Sequence, residues 1–91
     1  MKDEVLIMNV KIKVYDMNKY RNESKKIEEL RYRNIKRFEV VEGEKALKLE
    51  IENNFSVLDI DDFHEYLILT LENDKHVIFR NSFVDLFNDE R

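Results

Sequence analysis

The 91-residue chain has no cysteine, no proline, no tryptophan and a single glycine. Without cysteine there can be no disulfide, thiolate zinc site, iron–sulfur cluster or cysteine nucleophile. Phosphate-cradling loops need several glycines so that backbone can approach the phosphate. With Gly43 alone, neither the P-loop nor the dinucleotide fingerprint can be written, and G-x-S-x-G fails on the same count. Long apolar runs are missing too. The longest are four residues, Val5 to Met8 and Tyr66 to Leu69, against about twenty for a membrane-spanning helix. The start, Met1-Lys2-Asp3-Glu4, places acids where a secretory signal carries positive charge. The expectation is a soluble, cytoplasmic protein without a membrane partner.

Charge dominates what is present. Charged residues make 40% of the chain, apolar residues 43%, and the formal net charge is −4. That apolar share is enough for one core and disfavours wholesale disorder. The length fits one domain, 1–91. Phe, Tyr, Met, Ile, Asn and Lys supply 40 residues, whereas Gly, Ala, Arg and Pro supply 8. The first set has AT-rich codons and the second GC-rich ones, which suggests a low-GC bacterium or one of its phages.

Leu6, Met8, Val10, Ile12 and Val14 alternate with mostly polar neighbours, and period two predicts a half-buried strand. Residues 16–26 are polar. Ile27, Leu30, Ile35 and Phe38 then approach helical spacing, with Asn22 or Ser24 as caps. This favours a short helix over about 23–34, with a strand through Leu30 and Tyr32 as the alternative. Phe38–Glu42 reads as extended, Gly43 as a turn, and Leu47, Leu49 and Ile51 alternate again, which predicts a hairpin. A second hairpin is expected from Tyr66–Glu72 and His76–Arg80 around Asn73-Asp74-Lys75. Ser82 could cap a final helical turn that packs Phe83, Val84, Leu86 and Phe87 on the sheet. The predicted class is α+β, mainly antiparallel β: a five- or six-stranded sheet or small open barrel with one or two short helices.

Charge is unevenly placed. Residues 1–37 sum to +5 and residues 38–91 to −9. The basic excess lies in 19–37: Lys19, Arg21, Lys25, Lys26, Arg31, Arg33, Lys36 and Arg37, interleaved with Tyr20 and Tyr32. Arginines on phosphates and tyrosines stacked on bases would make a nucleic-acid strip. The plainer reading is a solvated face with internal ion pairs, because an acidic molecule repels a polyanion. The acidic half offers Glu42, Glu44, Glu50, Glu52, Asp59, Asp61 and Asp62 as carboxylates for a basic protein surface. Its plainer reading is solubilising charge on a wet sheet face.

No constellation carries catalysis. Asp59, Asp61, Asp62, His64 and Glu65 form the densest titratable cluster. The calcium-loop pattern fails there, since its sixth position from Asp59 is His64 rather than Gly and its twelfth is Thr70 rather than Glu. His64 and His76 lack the spacing of a helical zinc pair. Three serines, two histidines and eight aspartates make a Ser–His–Asp set expected by chance. The sequence therefore points to a non-enzymatic protein-binding module with no cofactor and no metal. Its compact, acidic, motif-free profile suggests an inhibitor or regulator of a host nucleic-acid-handling or defence protein. A nucleic-acid-binding module using 19–37 is the alternative. An exposed edge strand would also accept a second copy, giving a homodimer.

Overall fold

The computed structural model describes residues 8–53 and 60–89. The first strand, β1 (Met8–Tyr15), follows the period-two pattern, with Val10 and Ile12 buried. It is the centre of a three-stranded antiparallel sheet. On one side lies β2 (Lys26–Ile35), and on the other the last strand, β6 (Val84–Asn88). A second three-stranded antiparallel sheet has the order β3 (Arg37–Glu42), β4 (Glu65–Thr70), β5 (His76–Arg80). A helix, α1 (Gly43–Asn53), follows β3, and a 3-10 turn at Asn81–Phe83 joins β5 to β6. The class is thus α+β with antiparallel strands and one short helix. The six strands form two sheets of three rather than one sheet of five or six.

The two sheets face each other over one core. Val10, Ile12, Ile35 and Val84 from the first sheet meet Leu67 and Leu69 from the second, with Leu30, Tyr32, Val77, Phe79 and Leu86 packed around them. The chain passes between sheets at Lys36, whose backbone N–H donates to the Thr70 carbonyl (2.7 Å). Just before it, Asn34 takes φ 60°, a conformation that asparagine tolerates better than most residues. Its N–H donates to Asn9 Oδ1 (3.0 Å), opposite a register shift between Met8 and Val10. This bulge explains why Tyr32 and Ile35, three apart, both point inward.

The far face of the second sheet is covered by α1. Ala46 is fully buried beside Val41, Tyr66 and Ile68, with Leu49 packed against them. Here the expected hairpin is replaced by strand-then-helix. The alternation of Leu47, Leu49 and Ile51 is real, but Glu44-Lys45-Ala46-Leu47-Lys48-Leu49 are all strong helix formers. Gly43, Ala46 and Leu49 at three-residue spacing supply the buried stripe.

The expected helix at 23–34 is also absent. Residues 18–24 form turns, in which Asn18 Oδ1 accepts the Tyr20 N–H (2.9 Å) and the Asn18 carbonyl accepts the Arg21 N–H (3.0 Å). The following residues form β2, which was the weaker of the two readings. Paired along β1, β2 half-buries Leu30 and Tyr32 against the core. The second hairpin appears as expected, turning through Asp74 at φ 67°. At the C-terminal end the helical turn lasts three residues and then becomes β6. Val84 and Leu86 therefore enter the core by strand alternation, and Phe87 lies on the other face.

Candidate protein-binding face

Gly43 organises the most unusual surface of the chain. Its N–H donates to the His64 carbonyl (3.0 Å). A Cβ at this position would lie 1.7 Å from the Asp61 backbone oxygen. The glycine is needed for this close approach, not for a positive φ, which it does not adopt. The segment 60–64 is thereby laid against the start of α1.

That segment is held by Asp61. Its Oδ1 accepts the Phe63 N–H (2.9 Å) and meets His64 Nδ1 at 2.7 Å. Its own N–H donates to the Tyr66 hydroxyl (3.1 Å). The His64 contact, followed by the Phe63 N–H, holds the Asp61 carboxyl below its ordinary range, although desolvation opposes this. The aspartate turn leaves Phe63 pointing away from the molecule, 90% exposed. A solvated phenylalanine on a hydrogen-bonded turn is the typical shape of an interface anchor.

Carboxylates flank it in the chain at Asp62 and Glu65. Glu42 and Glu65 stand directly opposite each other in the β3–β4 ladder. Like charges so placed repel. Glu42, Glu44, Asp62 and Glu65 are all exposed and make no ion pair among the described residues. Beside them, Phe38 (44% exposed) and Val40 (50% exposed) lie along β3. A groove of about 570 Å³ is lined by Val40, Val41, Glu42, Glu44, Lys45 and Lys48.

Of the acidic residues singled out from sequence, Glu42, Glu44, Asp61 and Asp62 are brought to this one face. Asp61 is turned inward as a structural acceptor. Glu50 and Glu52 fall in α1 where side chains are not described, and Asp59 lies outside the described residues. Phe63, Phe38 and Val40 were missed as site residues. The signal for Phe63 was present: a lone large apolar residue within an acidic turn, Asp61-Asp62-Phe63-His64-Glu65. Among the described residues, no group of three or more His, Asp or Glu side chains could hold a metal ion. No helix among them is long and apolar enough to cross a membrane.

The basic segment is arranged differently. Lys19 donates to the Val84 carbonyl (2.7 Å) and pairs with Asp85 (3.0 Å), its side chain largely buried. Lys26 pairs with Glu29 (3.0 Å), and Lys36 pairs with Asp74 (2.6 Å). Arg31 bonds Asp89 (3.1 Å) and Glu29 (3.3 Å), and Arg21 lies 3.9 Å from Glu23. Tyr32 is inside, edge-on to Phe79 with ring centroids 6.2 Å apart. Tyr20, Lys25, Arg33 and Arg37 remain exposed. The sequence reading did not group Lys11 and Lys13 with Phe87, yet Lys13 Nζ lies 4.8 Å and Lys11 Nζ 6.0 Å from its ring centroid.

Asp85 is held by Lys19 and by the Tyr15 hydroxyl. Desolvation alone would raise its pKa, but hydrogen bonds from Lys19 and the Tyr15 hydroxyl (2.9 Å) hold it below the ordinary range. The Asp61 and Asp74 carboxyls are lowered in the same direction by His64 and Lys36. A carboxyl lowered on folding contributes stability above its unfolded pKa and loses it as pH falls through the folded value. His76 is lowered by burial and then by Arg37, so its protonation also opposes folding. The melting temperature should therefore fall on acidification, first gently below about pH 6.5 and more steeply below about pH 4. Asp85→Asn should lower stability at neutral pH and flatten the acid limb. Calorimetry from pH 8 to 3 checks both, and an unchanged acid limb in the variant would rule out the Asp85 contribution.

Comparison with known proteins finds no match: no protein-family model, curated protein or solved structure is significantly similar to the chain.

Proposed function

We propose that this chain is a non-enzymatic protein-binding module: a small acidic inhibitor or regulator, of phage or mobile-element type, of a host protein that handles nucleic acid or serves in defence. One observation carries the reading. A solvated Phe63 on a hydrogen-bonded turn lies between Asp62 and Glu65 in the chain, Glu42 stands opposite Glu65 and shares a groove with Glu44, and these four carboxylates have no counter-ions among the described residues. An exposed aromatic anchor with a charged rim is what a protein interface uses. The fitting partner has an apolar pocket rimmed by Lys or Arg. A protein that binds nucleic acid carries basic surface of that kind, which supports the narrower assignment to such a target. The repulsion between Glu42 and Glu65 would be relieved by a cation supplied in the complex.

The alternative, nucleic-acid binding through 19–37, is supported by the exposed Tyr20, Lys25, Arg33 and Arg37 and, on strands outside that segment, by the lysines over Phe87. Against it, Lys19, Lys26, Arg31 and Lys36 already neutralise acids, and Tyr32 is not available for stacking. Retention on heparin or single-stranded DNA is expected to be lost at about 0.1 M salt, with Arg33→Glu/Arg37→Glu indistinguishable from wild type at that salt. Tight retention abolished by those changes would favour the alternative.

The test of the main reading is an affinity pull-down from a lysate of the source organism, with and without nuclease, eluted by a salt gradient. One dominant protein that survives nuclease supports it. Recovery that disappears with nuclease and at moderate salt contradicts it.

A further inference from the structure

Among the described residues no strand pairs with the outer edge of β3, and this edge adds a mode of recognition to the face. The Gly43 N–H bonds the His64 carbonyl, and the β3–β4 register runs without a shift from Arg37↔Thr70 to Glu42↔Glu65. Antiparallel ladders alternate, so the backbone groups of Arg37, Glu39 and Val41 face β4 and those of Phe38, Val40 and Glu42 face outward. Among the described residues, no backbone hydrogen bond to Phe38, Val40 or Glu42 lies outside the ladder. Edge strands are ordinarily blunted by bulges, proline or lysine. The other sheet's edge strand β2 carries register shifts toward both ends of its pairing with β1, whereas β3 has no register shift and no proline, and its charges, Arg37, Glu39 and Glu42, leave Phe38 and Val40 apolar at outward positions.

We infer that β3 takes an extended segment of the partner protein as an added strand. This specifies the mode of the protein-binding reading above and rests on it. The incoming segment would place apolar side chains at alternate positions over Phe38 and Val40. It would carry Lys or Arg at the end beside Glu42, Glu44 and Glu65. Main-chain bonds would supply affinity, and the side chains specificity. A second copy of this chain fits less well. Pairing β3 with itself about a two-fold axis sets Glu39 against its own counterpart, or sets Glu42 beside Phe38. In the first register the residue set opposite Glu42 is Lys36, which is already engaged by Asp74.

The test uses the full chain, ¹⁵N-labelled, and two synthetic peptides. Each has a six-residue core of alternating Val and Thr, bracketed by Lys pairs in one and by Glu pairs in the other. The Lys peptide should shift the amide resonances of Phe38, Val40 and Glu42, and should bind at least about tenfold more tightly than the Glu peptide. Val40→Pro removes an outward donor that the fold does not use, and proline is tolerated at such an edge position. It should abolish the shifts. If that variant does not fold, Val40→Lys serves the same purpose. Equal response to both peptides, shifts confined to other strands, or shifts that persist in the folded variant would overturn the inference. So would concentration-dependent dimerisation of the free chain through these amides. A partner protein that still binds Val40→Pro but not Glu42→Lys would overturn the edge-strand mode and leave the protein-binding reading standing. One that binds both variants would overturn the assignment of recognition to this face, and failure to capture any partner protein would overturn the protein-binding reading itself.

Discussion

Replacing Gly43 by alanine is expected to lower stability by about 2 kcal/mol and the melting temperature by about 8–16 °C. At an exposed position in a helix the same change would gain up to about 1 kcal/mol, since alanine is the better helix former. The sign is reversed here because the new methyl would meet the Asp61 backbone oxygen at 1.7 Å. That neighbour is main chain, so no side-chain rotation relieves the clash. Either α1 moves off Val41, Tyr66 and Ile68, or the 60–64 segment is displaced. The second outcome pulls Asp61 from the Tyr66 hydroxyl and releases the turn that presents Phe63. Thermal denaturation followed by circular dichroism measures the loss. A stability equal to or above wild type would show that Asp61 does not lie against Gly43.

The second large effect is on binding. Phe63→Ala should weaken the complex by about 2 kcal/mol, roughly 30-fold, as expected for a central aromatic anchor. Combined Glu42→Lys, Glu44→Lys and Asp62→Lys should weaken it by roughly 100-fold or more, because each change sets like charges together across the interface. Folding should respond in the opposite way. Glu42→Lys converts the repelling Glu42–Glu65 pair into an attractive one and should add about 0.2–1 kcal/mol of stability. Titration calorimetry with the captured partner and thermal melts of the free chain read the two effects separately. A stabilised chain that no longer binds is the pattern of a carboxylate kept for recognition. A destabilised chain would assign Glu42 a structural role instead.

Strand β1 and the β4–β5 hairpin were legible because their side-chain alternation and turn residues agree with their buried faces. The helix at Gly43–Asn53 was not. There the same six residues satisfy both a period of two and a stripe at i, i+3, and only the apolar face of the second sheet selects the helix. The β2 strand was obscured by its bulge. Asn34 at positive φ shifts the phase of the inward residues, so Leu30 and Ile35 fall out of strand alternation and join Ile27 and Phe38 near helical spacing. The division of six strands into two sheets depends on corners at Lys36 and at Asn81–Phe83, which leave no strong local signal. Among the site residues, the carboxylates were legible as charge. Their convergence was not, because Glu42 and Glu44 are brought to Asp62 and Glu65 by a ladder between strands more than twenty residues apart. Phe63 does not stand out in the sequence because large apolar side chains are usually buried, and only its turn geometry shows otherwise.

The most direct measurement is a hydrogen–deuterium exchange footprint of the chain free and in complex with the protein it captures. Protection concentrated in 38–44 and 61–65, with 9–13 and 26–33 unchanged, is the predicted result. Protection concentrated in 9–13 and 26–33, with the Phe63 turn still exchanging freely, would contradict the assignment of the acidic face and move recognition to the lysine-flanked Phe87.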